Sequence, residues 1–119
     1  MKVRSTKQNP IVGYKVFTID NHGKLDCPHY TRPKDWKIHR GAFLTASLRK
    51  HDIDCYRGVS FWNELKYAHN DMVFRDIRSA FEGICTYCVW KIEVPPGHIV
   101  YQYEHGSRAS KVKLIKRIQ

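Results

Sequence analysis

The sequence predicts an α+β fold, with a mainly antiparallel, twisted sheet and two helices drawn from the middle of the chain. β-Branched and aromatic runs lie toward both ends: Ile11 to Ile19 (IVGYKVFTI), Cys85 to Val94 (CTYCVWKIEV) and Lys111 to Ile118 (KVKLIKRI). Between them, Asp71 to Phe81 (DMVFRDIRSAF) sets Val73, Ile77 and Phe81 at steps of four, the period of one helix face. Turn signals at Asp20-Asn21-His22-Gly23 and Pro95-Pro96-Gly97 close the strands that precede them.

At 119 residues and 42% hydrophobic content, the chain can bury one sizeable core and has no room for a second domain of ordinary size. The expected division is a flexible basic N-terminus over 1–10 and a single α+β domain over 11–119. Within that domain, Ile11 to Ile19 is the first strand and Lys24 to Tyr30 a short return strand, broken by Arg32-Pro33-Lys34-Asp35-Trp36 because proline lacks the ladder donor. Gly41 to Leu48 (GAFLTASL) fits neither period, since Phe43 and Leu44 are adjacent.

The stretch Cys55 to Ala68 (CYRGVSFWNELKYA) organises the centre. Gly58 gives backbone freedom where a loop swings into the extended run Val59 to Trp62. Asn63 is then expected as the N-cap of the first helix, Glu64 sits in its first turn, and Trp62 and Tyr67 have the spacing of a hydrophobic staple. Asp71 to Phe81 forms the second helix, ended by Glu82-Gly83.

Beyond it, Cys85 to Val94 is the strongest strand, Pro95-Pro96-Gly97 a type II turn, and His98 to Tyr103 (HIVYQY) its hairpin partner. Glu104 to Ser110 reads as a polar loop. In the last strand, Val112, Leu114 and Ile118 share one face, and Lys111, Lys113 and Arg117 the other.

Charge narrows the function. There are 21 basic and 11 acidic residues, a net +10 with histidines neutral, and the excess is segregated. Residues 31–51 hold six basic groups against one acidic, and residues 106–119 five against none, whereas 52–105 is net −3. If those segments converge, Arg32, Lys34, Lys37, Arg40, Lys111, Lys113 and Arg117 form one basic face that attracts nucleic acid or an acidic host protein. The alternating tyrosines Tyr101 and Tyr103 are suited either to stacking nucleobases or to core packing.

No apolar run approaches the roughly 20 residues of a membrane helix, and MKVRSTKQNP is not followed by a signal-peptide core, so the chain is expected in the cytoplasm. The four cysteines are accordingly read as free thiols. Cys85-x-x-Cys88, with Cys27, His29 or Cys55 as further ligands, has the composition of a zinc site. Side chains three apart on a strand point to opposite faces, however, so no metal is expected. The seven histidines show no HxH or HExxH spacing, and no nucleophile, base and orienting group stand together.

The order GYKVFTID, Cys27, CYRGVSFW, CVWKIEVPPG and KVKLIKRI resembles a family of small uncharacterised phage and bacterial domains centred on Cys-x-x-Gly-[Phe/Leu]-His. Cys55 and Gly58 match that centre, and Ser60 stands in place of the histidine. This resemblance implies an α+β fold and a phage or mobile-element origin, hence the host cytoplasm, and carries no activity with it.

A second, weaker similarity is to ADP-ribosyltransferases. GVSFWNELKYA is similar to their Gly-[Ile/Val]-x-Phe…Lys-x-Ala segment, and Gln102-Tyr103-Glu104 to their Gln-x-Glu pair. It implies NAD as cofactor and Glu104, with Gln102, as the catalytic residues. Gly13-Tyr14-Lys15 stands where that family places the histidine or arginine that holds NAD. The primary expectation is a non-catalytic, phage-type basic binding protein without cofactor; the alternative is an NAD-using enzyme of this second kind, or an inactive relative.

Overall fold

The computed structural model describes residues 1–19, 25–26, 39–46, 58–82 and 86–119, with the side chains of 26 and 79–82 excepted. These residues form an α+β fold with an antiparallel sheet. In chain order the elements are β1 (Lys2–Arg4), β2 (Ile11–Ile19), β3 (Leu25–Asp26), β4 (Phe43–Thr45), β5 (Val59–Trp62), α1 (Leu65–Glu82), β6 (Thr86–Val94), β7 (Ile99–Gln102), β8 (Gly106–Ala109) and β9 (Lys111–Arg117). Eight strands follow the order β1-β7-β8-β5-β2-β6-β9-β4, and β3 pairs with β2.

The spine is the β2–β6 pair, in register over nine residues from Ile11 opposite Val94 to Ile19 opposite Thr86. β-Branched and aromatic residues dominate both strands, which suits a sheet covered on both faces. Alternation sorts their side chains. Phe17, Cys88, Ile92 and Val94 point to an inner face, where they meet Leu44, Val59, Phe61, Val100, Val112 and Leu114. Val16 and Val89 point the other way and pack, with Ala68, against Leu65 and Met72 of the helix.

One continuous helix stands where two were expected. Its buried stripe also differs from the predicted one: Val73 and Ile77 are exposed, as is Phe74, whereas Ala68 is fully buried. Steps of four from Val73 and steps of three to four from Leu65 define different faces of the same cylinder, and the sheet selects the second.

Asn63 is not the helix cap. The Glu64 carbonyl accepts the first helical bonds, from Tyr67 and Ala68. The Asn63 amide instead donates to the Tyr103 carbonyl at 2.9 Å and its side-chain oxygen accepts from the Ser107 hydroxyl, tying the helix start to the β7–β8 turn. Tyr67 stacks at a tilt on His105 of that turn, 4.3 Å between centroids. The Trp62–Tyr67 pairing is present, with centroids 6.4 Å apart.

Other departures are matters of partner choice. The turn at Pro95-Pro96-Gly97 has the expected positive φ at Gly97 (89°) and a His98 N–H bond to the Pro95 carbonyl. β7 nevertheless leaves β6 and pairs with β1 and β8. Residues 2–4, in the segment expected to be mobile, supply that edge strand β1. The segment read as a polar loop contains β8, which pairs with both β5 and β7 because Ser107 and Ala109 can point inward while Gly106 and Arg108 alternate outward.

Gly58 has φ of 76°, as its place before β5 required. β3 pairs Leu25 with Ile19 and Asp26 with Thr18. The rest of the expected return strand, the Asp20–Gly23 turn, Trp36, Cys27, His29, Cys55, Gly83 and Cys85 lie outside the described residues. No helix among the described residues is long and apolar enough to cross a membrane.

Candidate functional site

Two features of the outer sheet surface concentrate charge. The first is the β9–β4 ladder. Val112 and Leu114 are fully buried, so the intervening Lys111 and Lys113 project outward, where β4 places Phe43 opposite Lys113. The Phe43 ring is 48% exposed. The Lys111 ammonium lies 4.5 Å from its centroid and that of Lys113 lies 5.7 Å away, so two cations flank one exposed ring.

The register shift between Lys91 and Ile92 extends this strip and corrects its membership. Across the bulge, Leu114 faces Ile92 but Lys116, not Ile115, faces Lys91. Cross-strand partners share a face. Lys116 and Lys91 therefore join Lys113 and Glu93 outside, while Arg117, opposite Trp90, falls to the other side of the strand. A strict alternation from Lys111 would have put Arg117 on the lysine face; one extra residue in the bulge reverses it.

Arg40 is exposed on the turn that leads into β4, a turn bound to β9 through Gly41 N–H to the Leu114 carbonyl (2.8 Å). The structure thus brings Arg40, Lys111 and Lys113 to one pair of strands. Arg32, Lys34 and Lys37 lie outside the described residues.

The second feature is a cleft of about 290 Å³ between α1, β2, β5 and the β7–β8 hairpin. β2 and β5 pair at one position only, Tyr14 opposite Trp62, and then splay. Lys15, 5% exposed, reaches into the splay and donates to the Ser60 carbonyl at 2.6 Å, an acceptor a continuous ladder would have used. From the helix, Asp71 accepts from Trp62 Nε1 (3.1 Å) and from Arg75 Nε (2.8 Å), a geometry the i, i+4 spacing allows. From β8, Arg108 lies 5.4 Å above the Tyr103 ring and approaches its hydroxyl at 3.4 Å. Lys15, Arg75, Arg108, Trp62 and Tyr103 thus line one cleft, with Asp71 the carboxylate among its described residues.

Sequence reasoning missed this constellation. Its members come from β2, β5, α1, β8 and the turn before β8, and the spacing within each one is ordinary. The one local hint is the i, i+4 pair Asp71 and Arg75.

Gln102 and Glu104 do not line the cleft. The Glu104 side chain is 88% exposed, with the His105 imidazole 3.7 Å away. Cys88 lies fully buried on the inner face, and burial pushes its thiol pKa up, offset in part by the positive charge of Arg117.

The architecture is an antiparallel α+β fold with a lysine-bordered pair of strands and a cleft between the helix and the β7–β8 hairpin. Compared with family models, curated protein sequences and solved structures, the chain has no match.

Proposed function

We propose that the protein is a non-catalytic binding protein of the phage type that engages nucleic acid through the outer face of β4 and β9. The observation that carries this reading is the exposed Phe43 ring between Lys111 and Lys113. An exposed cation–π contact is worth only about 0.5–1 kcal/mol, little return for leaving a large apolar ring half in water. A ring flanked by two ammonium groups offers a stacking platform for a base with phosphate partners beside it, the combination that single-strand binders use. Glu93 is the sole carboxylate in β4, β6 and β9, so a polyanion meets little local repulsion.

Glu104 favours this reading over NAD-dependent transfer. A catalytic carboxylate must reach the ribose in a site shielded from water, whereas Glu104 stands in a turn with its side chain in solvent and outside the cleft.

Fluorescence anisotropy with a labelled single-stranded oligonucleotide over a salt series tests the proposal. Binding should weaken steeply with salt, and replacing Lys111 and Lys113 by alanine should flatten the log–log slope by about 1.4, at about 0.7 per phosphate contact on a single strand. Glu104→Gln should change nothing. Wild-type protein that ignores nucleic acid at low salt but binds an acidic protein would redirect the same face to a protein partner. NAD turnover lost with Glu104→Gln would replace the reading altogether.

A further inference from the structure

We propose that single-stranded nucleic acid crosses the sheet from β4 over β9 to β6, and that Lys91 and Lys116 hold a second phosphate of the same strand at the far end of that path. This assignment rests on the β4–β9 face being the nucleic-acid surface. It adds the direction of the ligand, its minimal length and two binding residues.

Lys116 reaches this face only because of the bulge. Leu114 faces Ile92, the register then shifts, and Lys116 faces Lys91. Unbroken alternation would bring the half-buried Ile115 opposite Lys91 and lay an aliphatic group beside the lysine stem. Instead two cationic side chains stand directly opposite each other on one face. Such like-charge pairs weaken a ladder. Among the described residues neither lysine makes an ion pair, and Glu93 on the same face of β6 pairs with neither of them nor with Lys113 opposite it. A bulge that re-aims a side chain is a recurrent device beside binding sites. One phosphate between Lys91 and Lys116 would cancel the repulsion that the bulge creates.

Register fixes the path. Phe43, Lys113 and Glu93 are successive partners across β4, β9 and β6, and Lys91 lies two residues along β6 from Glu93. Two strand spacings of about 4.8 Å and two residues of about 3.4 Å put the Cα of Lys91 roughly 12 Å from that of Phe43. A base stacked on Phe43 has its own phosphate beside Lys111 and Lys113, so the Lys91–Lys116 pair takes a phosphate further along the chain. The path ends at Tyr14, the partner of Lys91 on β2, because Tyr14 already packs against the cluster that α1 forms with Val16 and Val89. A duplex keeps its bases stacked on one another, whereas a single strand can turn one base onto Phe43 while its backbone runs on.

Anisotropy titrations of the full chain with labelled single strands of about two to eight nucleotides, each over a salt series, test this. Affinity should rise at least about tenfold between the dinucleotide and the length that spans both ends, about four nucleotides, and then level off. Lys91→Gln with Lys116→Gln should flatten the log–log salt slope of the longer strands by about 0.7, for the one phosphate the pair holds, and leave dinucleotide binding unchanged. The same double variant should unfold at a higher denaturant midpoint than the wild type at low salt, a readout that a lost structural contact would move the other way. The length series uses the wild type alone and decides the matter even if the double variant does not fold.

A dinucleotide that binds as tightly as the longer strands would overturn the proposal. So would a double variant that keeps the wild-type slope on them; in either case dependence on Lys111 and Lys113 would leave the β4–β9 face as the whole site. Failure of the wild type to bind any single strand would overturn both.

Discussion

Phe43 and Lys113 face each other across the β4–β9 pair, and the lysine ammonium lies 5.7 Å from the centre of an aromatic ring that remains 48% exposed. The pairing separates two contributions that usually arrive together. Phe43→Ala removes a stacking surface and no charge. It should weaken single-strand binding by about 1–3 kcal/mol while leaving the salt slope parallel to the wild type. The lysine replacements should do the opposite, flattening the slope. Anisotropy titrations at several salt concentrations distinguish the two, and a Phe43→Ala slope that flattens like the lysine variants would show that the ring acts only by placing the ammonium groups.

Gly13 is required for space. A β-carbon there would lie 2.8 Å from the Trp62 carbonyl oxygen and collide with the Phe61 ring, a neighbour that is 4% exposed and has no room to retreat. Gly13→Ala is therefore expected to force β2 and β5 apart at the position next to their single register pair, at a cost of about 1–3 kcal/mol. Chemical denaturation should show a lower midpoint with an unchanged slope. A midpoint equal to that of the wild type would mean that the splay at Lys15 absorbs the methyl group.

How far the sequence speaks for itself depends on whether a feature is local. β2 was legible residue for residue, since IVGYKVFTI has no competing periodicity and its boundaries are marked by Pro10 and Asp20. β5 and the Gly58 turn were legible for the same reason. Partner choice was not. Pro95-Pro96-Gly97 announces a turn but says nothing about β7 crossing to β1, because that depends on Val100 meeting the inner core.

The helix register escaped for a related reason. Two apolar stripes share α1, and only contact with Val16 and Val89 chooses between them. The lysine strip was half legible: alternation placed Lys111 and Lys113, and an unmarked bulge exchanged Arg117 for Lys116. The cleft depends wholly on the strand order.

Asn63 joins the helix start to the β7–β8 turn instead of capping the helix. Its amide holds the Tyr103 carbonyl, and its oxygen takes the hydroxyl of Ser107, a residue 2% exposed. Asn63→Ala strands the buried Ser107 hydroxyl and should cost about 1–3 kcal/mol, whereas a lost N-cap would typically cost about 1. The double-mutant cycle with Ser107→Ala is the sharper measurement. Strong coupling between the two substitutions is expected, since removing both partners avoids the orphaned group. Additive effects would show that the Asn63–Ser107 hydrogen bond adds nothing beyond what each residue contributes alone.

Cys88 makes stability depend on alkaline pH with a definite sign. Its thiol is fully buried beside the β2–β6 spine, and burial disfavours the thiolate, so its pKa in the folded chain lies above that of the unfolded chain, with Arg117 opposing the shift only in part. As pH rises through the unfolded value of about 8.5, the unfolded chain releases this proton while the folded chain keeps it. The unfolded state then binds fewer protons, and the free energy of unfolding falls with pH at up to about 1.4 kcal/mol per unit until the folded value is passed. Below about pH 8 the contribution is complete and flat. The informative quantity is the difference between the wild type and Cys88→Ala, in which the contributions of all other groups cancel. That variant should be less stable at neutral pH because it leaves a cavity, and its deficit should shrink as pH is raised from about 8 to 10. Parallel stability curves over that interval would show that the Cys88 thiol ionises as readily in the folded chain as in the unfolded one.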